Sequence, residues 1–404
     1  MALSSLAKGR GGTHCLLTAQ TAERPNGGTV FNRRTIVGIA ALAAITISLS
    51  ACSSTPTPAA TGAADAKTAT SVSAFGDMAG LVKAANKEGA LNVIALPENW
   101  ANYGKIIAAF KKKYPKITVN SANPDGSSAE EIKAAGDLAG QDTAPDVFDL
   151  GPAVTLASTA KFAPYKVATW ADIPAANKEK TGLWVNDYTG LMSVGYDSSV
   201  IKSAPKKLSD LLGSSYKSKV AINGDPTQAG AAFAAVGLAA IQNGGSANDF
   251  QPGIDFFQKV NKAGNFLPLD PTPATIASGE TPVVFDWSYN NLAQAATTPN
   301  WKTVIFPGSA YGSYYNQAIN KDAPHPAAAR LWQEFVYSPI VQNLYLAAGA
   351  FPVQIAAMDK SGVTDKKAQA VAGKMPSAFV SPTDAQTTSA GALLTAKWAA
   401  AISQ

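Results

Sequence analysis

Helix-like and strand-like segments alternate along most of this chain, and this alternation restricts the fold more than any other feature of the sequence. In "DMAGLVKAANKEG" the apolar residues Met78, Leu81, Val82 and Ala85 recur at the helical spacing, and Gly89 ends the segment. The short apolar segment "LNVIAL" that follows is typical of a buried strand. Strands separated by helices of this length form βαβ units, which predicts a parallel sheet covered by helices.

The alternation occurs in two consecutive series. The first continues with the helix "YGKIIAAFKKKYP", the strand "ITVN", the helix "SSAEEIKAAGDLAG" and the strand "DVFDL". The second begins after the extended segment "YTGLMSVGYDSSV" and contains the helices "KLSDLLGSS", "TQAGAAFAAVGLAAIQNGG", "DFQPGIDFFQKVNKAG" and "TPATIASGE" and the strands "KVAIN", "PVVFD", "WKTVIF" and "YGSYYNQAIN". Because a single core stops growing at about 250–300 residues, we expect an α/β protein of two lobes with a cleft between them.

The composition sets the outer boundaries of these lobes. Residues 52–74 are rich in Ser, Thr, Pro, Ala and Gly and cannot bury enough apolar surface to order themselves, which predicts a disordered tether. We expect residues 75–189 to form the first part of lobe 1 and residues 190–308 to form lobe 2. Residues 309–404 are expected to return to lobe 1 and to add C-terminal helices that pack across both lobes.

The N-terminus carries the features of an export signal. Arg33 and Arg34 precede an uncharged apolar segment, residues 36–49, that is too short to span a membrane comfortably. The sequence "LSAC" that ends at Cys52 is similar to a bacterial lipobox, whose cysteine is acylated and becomes the mature N-terminus. Residues 1–51 are therefore expected to be the leader and lipoprotein signal peptide, and Cys52 the lipidation site.

Several aspects of the leader stay open. A start at Val30 would give a signal sequence of ordinary length, which favours residues 1–29 being an extension of the gene model. The pair Arg33-Arg34 is compatible with the general and with the twin-arginine export route. An ordinary secretory signal in which Cys52 is coincidental is the alternative to lipid anchoring.

The rest of the composition narrows the chemistry of the mature chain. Cys15 lies in the leader, so the mature chain has no disulfide and no thiol nucleophile, and its only histidine is His325. The net charge of +5 comes mostly from the leader, so no basic nucleic-acid footprint is expected. No nucleophile elbow, phosphate loop or dinucleotide fingerprint occurs after the leader. We expect no metal, no cofactor and no enzyme; a secreted hydrolase with paired carboxylates is the remaining catalytic alternative.

Four separated segments resemble a known family. These are "EGALNVIALPENWANYGKIIAAFKKKYPKITVN", "APDVFDLG", "SGETPVVFDWSYN" and "INKDAPHPAAARLWQEFVYSPIVQNLYLAAGAFPV". Together they are similar to extracellular solute-binding proteins of bacterial ABC importers, in the branch of iron(III), polyamine, thiamine and phosphonate binders, over roughly residues 75–355. The resemblance implies the type II periplasmic-binding fold, with a hinge between the lobes. It also implies partners: a small solute, an ABC permease and its ATPase, with the binding protein a monomer held at the outer face of the membrane.

Ligands of open α/β sheets bind beyond the carboxyl ends of the strands, so the residues that follow the predicted strands are the candidate contacts. They are Glu98, Asn99, Trp100 and Tyr103 after the first strand, Asp149 after the third, Asp225, Asp286, Trp287 and Tyr289 in the second lobe, and Tyr315 in the return segment. A structural role is the alternative for several of them, with Asp225 as a helix cap, Asp149 as a turn residue and Trp287 and Tyr315 as core.

Carboxylates and aromatic rings without a nearby arginine favour an organic cation, such as a polyamine or a thiamine-like compound. Iron(III) is the main rival, because iron binders of this family resemble one another in using adjacent tyrosines. Here Tyr314 and Tyr315 are adjacent. However, the segment that aligns with the tyrosine pair of the iron binders is "WSYNN", which has only one tyrosine, Tyr289. A phosphonate could instead bind at the helix start near Ser127.

Overall fold

The computed structural model describes residues 65–373 and 379–403. The leader, Cys52 and most of the predicted tether lie outside the described residues. The folded part begins earlier than the expected residue 75, because Ala69 is buried and the segment before it is tied down. The buried Arg330 donates from Nε to the Ala69 carbonyl (2.7 Å) and from Nη2 to the Lys67 carbonyl (2.8 Å). Residues 65–74 are therefore part of the fold rather than of a disordered tether.

The first series of elements follows the predicted order of helices and strands. It consists of α1 (Met78–Glu88), β1 (Ala90–Ile94), α2 (Tyr103–Lys113), β2 (Thr118–Ala122), α3 (Ser128–Asp137), β3 (Val147–Leu150), α4 (Pro152–Ala157) and β4 (Phe162–Ala163). Local signals fix several ends: Gly89 ends α1 in the left-handed conformation at φ 77°, and Ser127 forms a capping box with Glu130 at the start of α3.

The second series also contains the expected elements, apart from "KLSDLLGSS", which forms only a short 3₁₀ turn at Leu208–Leu212. It has in addition one helix, Ser288–Thr297, that was not predicted from the sequence. It consists of β5 (Val185–Asp197), β6 (Val220–Ile222), α5 (Gly230–Gln242), α6 (Gln251–Lys262), α7 (Pro273–Ser278), β7 (Val283–Trp287), α8 (Ser288–Thr297) and β8 (Trp301–Val304). The return segment contains β9 (Gly312–Asn320), α9 (Pro326–Val336), α10 (Pro339–Ala347), β10 (Phe351–Pro352), α11 (Ile355–Ser361), α12 (Lys366–Ala372) and α13 (Asp384–Ile402).

The sheets are mixed rather than purely parallel, in contrast to the expectation from βαβ units. Pairs β1–β2 and β6–β7 are parallel, whereas β9 pairs antiparallel with β3, and β5 pairs antiparallel with β7, β8 and β9. The difference arises because the long strand β5 and the returning strand β9 are not part of helix-linked βαβ units. Both strands pair antiparallel with strands that are.

Strand β5 joins the two lobes. Its first half, up to Leu191, pairs with β9, and its second half, from Met192, pairs with β7 and β8. The expected lobe boundary after residue 189 lies within this continuous strand, close to the change of partner. Helix α13 packs against α4 and α6, and so contacts elements of both lobes. The molecule is thus a two-lobed α/β protein with β5 as a shared element.

Candidate functional site

A cavity of about 390 Å³ lies between the two lobes at the ends of several strands. One wall comes from the segments after β1 and β2, from the start of α3 and from Asp149 in β3. The other wall comes from the segment between β6 and α5, from the start of α7, from the end of β7 and from α8. Tyr315 of β9 completes the lining. The position agrees with the rule that ligands of open α/β sheets bind beyond the carboxyl ends of strands.

Acidic side chains dominate the polar lining of this cavity. Among the described residues that line it, no side chain is Lys, Arg or His. The carboxylates are Asp125, Glu130, Glu131, Asp149, Asp225, Asp270 and Asp286. The lining amides are Asn99, Asn223, Gln228, Asn290, Asn291 and Gln294. Such a cavity attracts cations and repels anions.

The carboxylates lie at different depths. Glu131, Asp149 and Asp286 are buried, Asp225 is half-buried, and the remaining three are exposed at the rim. Rim carboxylates from both walls are close enough to interact, because Asp225 and Glu130 add to the effect of burial in raising the pKa of Asp270. A positively charged ligand would relieve this repulsion between the lobes.

Asp149 is the buried carboxylate best placed to contact a ligand. Its Oδ2 accepts a hydrogen bond from the Tyr188 hydroxyl (3.0 Å), whereas its buried Oδ1 has no partner. Burial raises the pKa of Asp149 to about 7, although hydrogen bonding from Tyr103, Tyr188, Asp187 and Gln317 acts in the opposite direction. An unpartnered buried oxygen costs free energy, so a cationic donor from a ligand would satisfy it.

Asp286 has a different role because its oxygens are already partnered. It accepts hydrogen bonds from the Trp287 backbone N–H (2.7 Å), from Asn223 Nδ2 (3.0 Å) and from Asn290 Nδ2 (3.1 Å). Burial raises its pKa to about 6, against the effect of these donors. Asp286 therefore holds two amide side chains in position on the cavity wall and adds negative charge behind them.

The start of α3 is satisfied internally and does not favour an anion. The Glu130 carboxylate accepts from the Ser127 backbone N–H (2.7 Å), and Ser128 Oγ accepts from the Gly151 N–H (2.9 Å). Glu131 is buried in the same helix and accepts from the Asp149 N–H (3.0 Å), and burial raises its pKa well above its usual range. A phosphonate at this helix start would have to displace a carboxylate.

The aromatic part of the site is a cluster that extends behind the cavity. We use the term aromatic cluster for Trp100, Tyr103, Tyr188, Trp287, Tyr289, Tyr315 and Tyr345. Trp100 and Tyr315 line the cavity and meet edge to face, with ring centroids 5.6 Å apart. These two rings can offer a π face to a cation.

The structure brings six of the ten sequence-predicted ligand contacts to the cavity. They are Asn99, Trp100, Asp149, Asp225, Asp286 and Tyr315. Asp225 does not cap α5, because its Oδ1 accepts from the backbone N–H and the hydroxyl of Thr227 in a local turn, and α5 starts only at Gly230. That these six residues bind a ligand remains a prediction.

The other four predicted contacts do not line the cavity. Glu98 is exposed in the loop after β1, and Tyr103 is buried in the first turn of α2 near Asp187. Trp287 follows Asp286 in β7, and successive side chains of a strand point to opposite faces, so Trp287 lies behind the wall and donates to the Tyr315 hydroxyl (3.4 Å). Tyr289 is buried in α8, against Gly190 of β5.

Some lining residues were not predicted from the sequence. Asn223 follows β6 directly and Asp125 lies three residues after the end of β2, so the strand-end rule applied to every strand would have found them. Gln228 lies just before α5 and Asn290 lies in α8, and only the tertiary structure brings these two helices to the cavity. Asp270 comes from an irregular segment before α7 and carries no local signal.

Two glycines allow the lobes to touch at one edge of the cavity. A Cβ on Gly151, after β3, would lie 2.7 Å from the Gly230 Cα, and a Cβ on Gly230 would lie 3.0 Å from the Gly151 Cα. Beside them the Ala129 N–H of α3 donates to the Gln228 carbonyl across the cleft (3.2 Å). Any larger residue at either position would force the two walls apart.

Two further observations concern the described part of the chain as a whole. No helix there is long and apolar enough to cross a membrane. No group of three or more His, Cys, Asp or Glu side chains in these residues is arranged to hold a metal ion.

Solved structures of similar fold come from transport systems. AfuA from Actinobacillus pleuropneumoniae, with fructose-6-phosphate bound, matches with a TM-score of 0.61 at 16% identity, covering 78% of this chain and 99% of that chain. Iron-bound HitA from Pseudomonas aeruginosa matches with a TM-score of 0.56 at 19% identity, and the match covers 77% of this chain and 99% of that chain. A putative spermidine/putrescine ABC transporter protein from Listeria monocytogenes matches with a TM-score of 0.57 at 13% identity, and the match covers 77% of this chain and 99% of that chain. Their different ligands show that the shared fold does not select the solute.

Sequence comparison gives the family directly. No curated protein matches the chain significantly. A family profile described as bacterial extracellular solute-binding protein matches residues 147–373. Solute-binding proteins of ABC importers are exported transport proteins rather than enzymes, and they work with a permease and its ATPase. Because the matched segment is more than half of the chain, the protein belongs to the bacterial extracellular solute-binding protein family.

Proposed function

We propose that this protein captures a small organic cation, such as a polyamine or a thiamine-like compound, and delivers it to an ABC permease. The observation that carries the proposal is the charge of the cavity, where seven carboxylates stand among the lining residues that the structure describes and no basic side chain does. Binding between hinged lobes, without chemical change of the solute, suits this arrangement.

The size and lining of the cavity fit such a ligand. A volume of about 390 Å³ is within the range of small-molecule sites. The rings of Trp100 and Tyr315 can each add roughly 0.5–2 kcal/mol through cation–π attraction, and the Asp149 oxygen can pair with the charge itself. Micromolar binding requires about −8 kcal/mol, to which these contacts would contribute together.

Iron(III) remains the second candidate, because carboxylate and phenolate oxygens are hard ligands. Tyr315 is the only tyrosine among the described lining residues, whereas its neighbour Tyr314 and the expected Tyr289 lie outside the lining. Burial also raises the pKa of Tyr315 well above its usual range, which disfavours the phenolate that an iron ligand needs. Both observations favour an organic cation.

A thermal-shift panel tests the proposal. We expect putrescine, spermidine or thiamine to raise the melting temperature, because a ligand at 100 times its dissociation constant stabilises the folded state by about 2.7 kcal/mol. Ferric citrate, aminoethylphosphonate and fructose-6-phosphate serve as the competing candidates. Stabilisation only by ferric ion or by an anion would contradict the organic-cation proposal, and turnover of a glycoside would favour the secreted hydrolase instead.

Anchoring by Cys52 gives a separate prediction about location. We propose that the acylated Cys52 holds the protein as a monomer at the outer face of the cell membrane, because several acyl chains together give durable binding at roughly 0.8 kcal/mol per buried methylene. The variant Cys52→Ser is expected to move the protein from the membrane fraction to the soluble fraction, as measured by fractionation and immunoblotting. Unchanged membrane association of this variant would refute lipidation at Cys52.

A further inference from the structure

Tyr188 of β5 connects two residues of the cavity without lining the cavity itself. It is fully buried, and its hydroxyl lies 2.7 Å from Trp100 Nε1 and 3.0 Å from Asp149 Oδ2. An indole N–H can only donate, so the Tyr188 oxygen accepts from Trp100. The single hydroxyl proton of Tyr188 is therefore directed to Asp149.

The surroundings hold this hydroxyl in place. The Tyr188 ring stacks on Tyr315 at 5.8 Å with an interplanar angle of 6°, and meets Tyr289 edge to face at 5.6 Å. The Tyr188 backbone N–H donates to Asp187 Oδ1 (2.7 Å). A residue fixed from both sides and from its backbone can fix the groups that it contacts.

Only one oxygen of Asp149 is used by this arrangement. Asp149 lines the cavity, and Tyr188 contacts its Oδ2. The buried Oδ1 of Asp149 is left without a partner. A donor to a carboxylate also favours its ionised form, which is the form that pairs with a cation. We propose that Tyr188 is a positioning residue for the solute, which orients Asp149 with Oδ1 available to the ligand's positive charge and holds the Trp100 indole in the wall. The inference rests on the proposed function, in which the solute is a cation.

Several other polar groups surround Asp149 and Asp187 beside Tyr188. Each element packed there contributes an acidic or neutral side chain, and no basic nitrogen of the described residues lies within 4.0 Å of either carboxylate. The facing groups are Glu131 of α3, Tyr103 of α2, Tyr345 of α10, Tyr289 of α8, Tyr337 after α9, and Gln317 of β9. Of these, Tyr103, Tyr345 and Gln317 donate to Asp187 Oδ2. Against the effect of burial, Tyr103, Gln317 and Asp187 itself also lower the pKa of Asp149 alongside Tyr188, which lies 3.0 Å from Asp149 Oδ2.

The variant Tyr188→Phe tests this role, with Tyr337→Phe as the matched control. Tyr337 is also fully buried, and its hydroxyl donates to the Val185 carbonyl (2.8 Å) rather than to a carboxylate. In ligand-free protein, ¹³C NMR of the side-chain carboxyls, with Asp149 assigned through Asp149→Asn, should show the Asp149 titration moving to higher pH in Tyr188→Phe only. Spermidine affinity at pH 7.5, measured by calorimetry, should fall about tenfold in this variant and stay unchanged in Tyr337→Phe.

The two readouts separate this inference from the proposed function. An unchanged Asp149 titration in Tyr188→Phe would overturn the positioning role. An equal loss of spermidine affinity in Tyr188→Phe and Tyr337→Phe would overturn it too, because the loss of any buried structural hydroxyl would then explain the effect. The titration needs no ligand, so it decides the role of Tyr188 even when the parent protein binds none of the cations. That last result would overturn the proposed function instead.

Discussion

Replacement of Asp149 by asparagine is expected to abolish most cation binding and, at the same time, to make the empty protein more stable. Among the described residues that line the cavity, Asp149 is the buried carboxylate with an unpartnered oxygen, and the variant removes its charge. Removing one partner of a buried charge pair costs about 2–5 kcal/mol, so the affinity should fall by about 30-fold or more. Calorimetric titration of the variant with whichever cation of the panel binds the parent protein measures this loss.

The stability of the empty protein should change in the opposite direction. Burial raises the folded-state pKa of Asp149 from 3.8 to about 7, so the carboxyl stabilises the fold below about pH 4 and loses that contribution as the pH rises through 7. Ionisation at pH 8 then costs up to about 4 kcal/mol. Asparagine keeps an oxygen for the Tyr188 hydrogen bond and carries no charge, so we expect a gain of about 1–3 kcal/mol in the free energy of unfolding at pH 8 and little gain at pH 4.

Asp270→Asn is the matched control for both effects. Asp270 lines the same cavity but is exposed at the rim, where a charge pair contributes about 0–1 kcal/mol. This variant should change the affinity only a few-fold and raise the free energy of unfolding by less than Asp149→Asn does, because at the partly exposed rim it relieves only the cost of partial burial and the repulsion from Asp225 and Glu130. Equal losses of affinity in Asp149→Asn and Asp270→Asn would mean that the cation is held by the general charge of the cavity and not by the Asp149 oxygen.

Cation affinity should fall steeply as the solution becomes more acidic. The pKa of Asp149 is raised to about 7 and that of Asp286 to about 6, both by burial. A cation pairs with the ionised form, so binding below these values must first remove a proton. For spermidine, which keeps its charge over this range, the dissociation constant should rise by up to about 100-fold between pH 8 and pH 5, because Asp149 and the neighbouring buried Asp187 titrate together.

Calorimetry in two buffers of different ionisation enthalpy provides the second measurement. Near pH 6.5 the parent protein should release a fraction of a proton when spermidine binds, and Asp149→Asn should lose most of that release. An affinity that stays constant from pH 8 to pH 5 would contradict the expectation that Asp149 is protonated in the empty cavity and must ionise to bind the cation.

Local sequence signals accounted for most of the secondary structure. Apolar spacing located α1, α2 and α5, and Gly89 and Ser127 marked a helix end and a helix start by their backbone and capping chemistry. The same reasoning gave a parallel sheet, which is only partly correct, because the directions of β5 and β9 depend on how the chain returns between lobes. Strand direction is a property of the pairing and leaves no mark on a single segment.

The strand-end rule found part of the site and missed another part for a physical reason. It located Asp149 and Asp286 because each lies at or near the carboxyl end of a strand that opens into the cavity. It also selected Trp287, which the alternation of side chains along β7 turns away from the cavity. Tyr188 lies in the interior of β5, where a tyrosine is an ordinary strand residue, and no pattern around it indicates contact with Asp149.

The sequence by itself therefore determined the family, the alternation of helices and strands and the acidic and aromatic character of the candidate site, because these depend on residue type and short-range spacing. Only the tertiary structure decided which carboxylate keeps an unpartnered oxygen and which are fully hydrogen-bonded. Asp149 and Asp286 look alike in the sequence, but Asp149 accepts from Tyr188, 39 positions away, and Asp286 accepts from Asn223, 63 positions away, in addition to its local donors Trp287 and Asn290. Contacts of that range are fixed by packing of whole lobes, which no local pattern encodes.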